Sequence, residues 1–69
     1  MSELVFLVEE DVEGGFVARA LGQSIVTQAD NRDDLIQNIK DAVQCHFDTD
    51  EARPRVIRLH FVRDEVLSL

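Results

Sequence analysis

The sequence predicts a small α+β domain of order β-β-β-α-β, with one helix on one face of a four-stranded, mostly antiparallel sheet. Three observations predict it. A continuous apolar run, Leu4 to Val8, is followed by an acidic turn with paired glycines, Gly14-Gly15. A capped amphipathic stretch runs from Asn31 to Phe47. An alternating segment, Val56 to Val62, comes after the single proline, Pro54.

The first strand is Leu4 to Val8, and its unbroken apolar character suits a strand covered on both faces. Glycine reaches positive φ without a steric cost, so Gly14 and Gly15 allow the reversal that joins strands one and two as a hairpin. Strand two, Phe16 to Leu21, sets Phe16, Ala18 and Ala20 on one face and Val17, Arg19 and Leu21 on the other. Gly22-Gln23 breaks the chain, and Ser24 to Gln28 forms a shorter third strand around Ile25, Val26 and Thr27.

Asn31 is the expected helix N-cap, because its side chain can accept from a free amide two or three residues on. Asp33 and Asp34 fall in the first turn, where the helix dipole favours anions. Leu35, Ile39, Ala42, Val43 and Phe47 recur at helical spacing, a stripe that faces the sheet. Pro54 fits just ahead of the fourth strand, where no ladder amide is lost. That strand points Ile57, Leu59 and Phe61 inward and Arg58 and His60 outward. A helix between strands three and four makes a crossover, which places strand four parallel to strand one and gives the spatial order 3-2-1-4.

With 69 residues the chain makes one domain, expected over 1–69. A chain this short buries only about 60% of its unfolded surface, so disulfides, metals or self-association commonly support such domains. One cysteine, Cys45, excludes an internal disulfide. Two histidines and that cysteine are too few soft ligands for a structural zinc site unless carboxylates or a second chain contribute. Self-association remains, and one helix leaves an open sheet face with Val5, Leu7 and Val17. Arg58, His60 and Val62, together with the tail residues Val66, Leu67 and Leu69, are the expected contacts of a homodimer or higher oligomer.

The net charge of −7 argues against direct contact with nucleic acid or an anionic membrane. It serves solubility in any case and is compatible with a small basic protein partner, for which the acidic residues Glu9, Glu10, Asp11 and Glu13 are the candidate contacts. An acid near the start and the short apolar run speak against a signal peptide, and no run is long enough to span a membrane. The expected location is cytoplasmic.

Gly14-Gly15-Phe16-Val17-Ala18, followed by the capped helix with Asn38-Ile39-Lys40-Asp41-Ala42, resembles the HicB-like superfamily. The resemblance covers most of the chain and implies a partial ribonuclease-H-like β-β-β-α-β fold. It further implies an antitoxin that binds and neutralises a small basic HicA-type ribonuclease. The chain departs from the family in three places. No DNA-binding tail is expected beyond Leu69, the stretch before strand three is reduced to Ala20-Leu21-Gly22-Gln23-Ser24, and the helix cap is Asn31 rather than threonine.

The resemblance carries over no catalytic set, and no cofactor or metal is implied. Cys45 and His46 are the one pair to weigh for nucleophilic chemistry. Adjacent helical residues do not face each other, and no third orienting group is evident. His46 and His60 with Asp48, Asp50 and Glu51 match no metal-ligand spacing. The acids Asp11, Glu13, Asp30, Asp33 and Asp34 belong to turns and a helix start rather than to a central strand, unlike a two-metal carboxylate site. The expected function is therefore non-catalytic protein interaction. An oligomeric module without a toxin partner is the alternative, and an enzyme using Cys45 and His46 is a minor one.

Overall fold

The computed structural model of the chain describes residues 2–69. Its elements are β1 (Glu3–Glu10), β2 (Phe16–Ala20), β3 (Val26–Ala29), α1 (Arg32–His46) and β4 (Val56–Val62). They form one mixed sheet of order β3-β2-β1-β4. β1 pairs antiparallel with β2, which pairs antiparallel with β3. β1 pairs parallel with β4, with Phe6 opposite Leu59. The expected topology is thus the observed one.

The core has a local origin. Side chains alternate across a strand, so Leu4, Phe6 and Val8 of β1 and Ala18 and Ala20 of β2 all point to the helix side and are buried. From the helix, Leu35, Ile39 and Val43 meet them, and these three are the buried residues of α1. The small Ala18 and Ala20 let the helix approach β2, and α1 lies chiefly over β2 and β3. This position leaves the inner face of β4 only half covered, with Ile57 and Leu59 of intermediate burial.

The helix start matches its expected cap. The Asp34 amide donates to Asn31 Oδ1 at 2.8 Å, and Asn31 Nδ2 donates back to Asp34 Oδ2 at 3.0 Å. Asn31→Ala removes both bonds. It should cost about 1 kcal/mol, while Asn31→Asp should cost far less. Chemical denaturation followed by circular dichroism checks this. At the other end, Phe47 donates its amide to the Val43 carbonyl, and Arg53 donates to the Gln44 carbonyl at 3.1 Å. A guanidinium there satisfies a last-turn carbonyl that the helix leaves free.

Three strand bounds differ from expectation. β1 runs on to Glu10, so Glu9 and Glu10 are strand residues rather than part of the turn. Alternation then sends Glu10 to the helix side and Glu9 to the open face. β2 stops at Ala20, and Leu21 is largely exposed in the following turn. β3 begins at Val26, not Ser24; Ile25 sits just ahead of it, yet is buried in the core. Its carbonyl accepts from the Ala20 amide at 2.9 Å, which closes the tight connection and turns the side chain inward.

Phe61, expected inward, is on the helix side but 44% exposed. It stands at the end of β4, edge-on to Phe16 with ring centroids 6.2 Å apart, and the Arg32 guanidinium lies 5.7 Å from its ring centre. The second face of β1 is open, as expected with a single helix, and the cover on both faces suggested by its apolar run is not found. Val5 and Leu7 are only half-buried by their sheet neighbours, and no second layer lies over them among the described residues.

Candidate partner interface

The chain reverses between β1 and β2 through a tight acidic loop. The Asp11 amide donates to the Gly15 carbonyl at 2.9 Å, and the Gly14 amide donates to the Asp11 carbonyl at 3.0 Å. Asp11 Oδ1 accepts from the Glu13 amide at 3.1 Å, an Asx turn. Gly14 and Gly15 both take positive φ, 94° and 90°. Val12, at the tip, is fully exposed.

This loop borders a depression of about 450 Å³ whose other walls come from the end of β3 and the first turns of α1. Asp11, Asp30 and Asp34 line it, with Phe16 and Asn38. Asn38 Nδ2 donates to the Gln28 carbonyl at 3.0 Å, which fixes the helix against β3 and so fixes the depth of the depression. On the other side of the loop, Glu9, Glu10, Asp11 and Asp64 border a second hollow of about 230 Å³ with Val62 and Arg63. The four acids named from the sequence therefore sit at one end of the sheet, on a loop and strand end between two concavities. Asp30 and Asp34, read from the sequence only as turn and helix-start residues, join them there. Their contribution to a surface is visible only once β3 and α1 meet.

Two groups make up the second predicted set. Arg58, His60 and Val62 lie on the open face of β4, where Arg58 is ion-paired with Glu3 across the β1–β4 ladder. The hydrogen bond to Glu3, and then its charge, raise the Arg58 pKa above the ordinary guanidinium value. Val66, Leu67 and Leu69 are on a tail that runs on past β4, and each is more than 80% exposed. The described residues span 51 × 19 × 17 Å.

Near the helix C-terminus Cys45 is exposed. The His46 ring packs edge-on against Phe47, with Nε2 3.1 Å from Gln23 Oε1. Among the described residues no group of three or more His, Cys, Asp or Glu side chains is placed to share a metal ion. No helix of the described residues is long and apolar enough to cross a membrane.

No family model matches the chain, and no solved structure matches it. Two bacterial and archaeal proteins do. A UPF0150 protein of Archaeoglobus fulgidus is 51% identical over 53 residues, 77% of either chain. A UPF0150 protein of Thermotoga maritima is 39% identical over 67 residues, 97% of this chain and 93% of that one. A likeness of this degree along nearly the full length of both chains places the present chain in the UPF0150 family.

Proposed function

We propose that this chain is a non-catalytic protein-binding module that captures a small basic partner, in the manner of a HicB-type antitoxin masking a HicA-type ribonuclease. The observation that carries this reading is the gathering of Glu9, Glu10 and Asp11 with Asp30 and Asp34 around concavities at one end of the sheet, Glu13 standing on the same loop. Such a surface offers a cationic partner both a steering field and shape to dock into. The fold expected of a HicB-like domain, β-β-β-α-β, is also the fold of this chain. Capture takes place through protein contacts alone, and catalysis has no part in it.

The test is affinity capture from lysate of the native cell with the tagged full chain, partners being identified by mass spectrometry. A small basic protein should co-purify in stoichiometric amount. It should be lost with Glu9→Lys, Glu10→Lys and Asp11→Lys combined, and weakened by salt that shortens the screening length to about 3 Å. Capture unchanged by the triple charge reversal would sink the contact assignment. A second reading, a self-associating module without such a partner, is favoured by the exposed apolar tail Val66–Leu69. Recovery of the chain alone in a defined oligomer would support that one.

A further inference from the structure

Three features of one edge of the molecule have no occupant among the described residues. β4 is the outer strand of the sheet and β1 is its one partner. The Val56 amide donates to the Ser2 carbonyl at 3.0 Å. Alternation along the strand therefore turns the amides and carbonyls of Val56, Arg58, His60 and Val62 toward β1, and those of Ile57, Leu59 and Phe61 outward. Beside this edge an apolar groove of about 160 Å³ lies between α1 and β4, lined by Ile36, Ile39, Lys40, Ile57 and Leu59. It exists because the helix sits over β2 and β3 rather than over the centre of the sheet. Beyond the strand the tail carries Val66, Leu67 and Leu69 into solvent.

We infer that β4 pairs antiparallel with β4 of a second copy, in a two-fold register centred on Leu59, and that each tail lies along the start of the other copy's β4. The register follows from the free groups. Setting Leu59 opposite Leu59 puts Ile57 opposite Phe61, and this is the arrangement in which all three outward-facing residues of both strands exchange their backbone bonds. The side chains of these residues are on the groove side, so the second copy's Leu59 and Phe61 close the half-open inner face of β4. On the other face Arg58, already ion-paired with Glu3 of its own chain, stands opposite His60.

Charge selects the same pairing. Running past β4, the tail carries Asp64 and Glu65 toward the start of the second copy's β4 and so toward its Arg53 and Arg55; within one chain Arg53 is paired with Asp50 and Glu65 with Arg63. Arg53 and Arg55 border a hollow of about 480 Å³ with Ser2, Asp50 and Glu51 at that point. The two acids of each tail thus come near two arginines of the other copy. Area points the same way. A seven-residue strand edge is too small by itself for a stable association, which needs roughly 1,000 Å² in total. The three nearly bare apolar residues of each tail supply the remaining surface. The depression bordered by Asp11, Asp30 and Asp34 is not part of this pairing, whereas the second hollow adjoins it through Val62, Arg63 and Asp64; mass and crosslinking read the pairing without the partner proposed above.

The experiment combines native mass with register-specific crosslinking of the full chain. Light scattering after size-exclusion chromatography at micromolar concentration should give twice the 7.8 kDa chain mass. Removal of residues 63–69 should return the monomer mass while the circular dichroism spectrum is kept. Two full-length variants, Arg58→Cys and His60→Cys, each also carrying Cys45→Ser, are then mixed and oxidised. In the proposed register their Cα atoms lie about 4.5 Å apart, within disulfide reach. Either variant alone places like positions at roughly 7–8 Å and should crosslink poorly. A mixed crosslink well above either variant alone supports the register. A monomeric full chain, or a dimer without preference for the mixed crosslink, overturns it.

Discussion

Phe6→Ala is expected to unfold this domain at 25 °C. Phe6 is the largest fully buried side chain, at the centre of β1 between Ala20 and Leu59 of the neighbouring strands. Its truncation costs about 3–5 kcal/mol in transfer and cavity energy. A single core in a chain of this size supplies about 3–5 kcal/mol in total, so the loss matches the whole reserve. Phe6→Leu keeps most of the volume and should cost about 1.5 kcal/mol or less. The two variants are compared by circular dichroism and thermal melting at one protein concentration, since any association adds to apparent stability. A Phe6→Ala chain with a native spectrum and a cooperative melt near wild type would show that support from outside the single-chain core is larger than supposed here.

Gly15→Ala should lower the melting temperature well beyond Gly14→Ala, although the two glycines are adjacent and share positive φ. Both substitutions force an L side chain into left-handed backbone, at a cost of about 1–2 kcal/mol. At Gly14 a Cβ meets open space, so strain is the whole effect. At Gly15 a Cβ lies 3.0 Å from the Ala29 carbonyl oxygen, a backbone atom of β3 that cannot swing aside. For about 2 kcal/mol of total cost the fall is roughly 8–16 °C in a domain of this size. The substitution also pushes the loop off β3 and so reshapes the acidic depression. Partner capture should therefore drop with Gly15→Ala more than with Gly14→Ala, measured below both melting points. Equal melting shifts would mean that the loop relaxes away from Ala29 at no cost.

Much of this architecture was legible in the sequence because its determinants are local. Asn31 is a cap by its own side chain and the amide three residues on. Leu35, Ile39 and Val43 are set on one stripe by the helical period alone. The spacing of the connections then restricts the topology to β3-β2-β1-β4, since a helix between two strands favours a parallel crossover. The acids of the β1–β2 reversal were visible as well, as a charge run beside paired glycines. Their division between two faces was not, because β1 extends two residues beyond its apolar run, and strand length depends on the neighbours that continue the ladder.

By itself, then, the sequence determined the order of elements, the capped helix, the hairpin and the acidic character of the surface. Periodicity, side-chain capping and glycine dihedrals act within a few residues of one another, and they suffice for these. Only the tertiary structure decided where the helix rests across the sheet. Ala18 and Ala20 admit it over β2, and Asn38 ties it to Gln28 of β3. That placement buries Ile25 from outside any strand, and it brings Asp30 and Asp34 to the same hollow as Asp11. It also leaves the inner face of β4 and its outward hydrogen-bonding groups open. These features arise from contacts between distant segments, whose geometry is set by packing volume rather than by any local pattern.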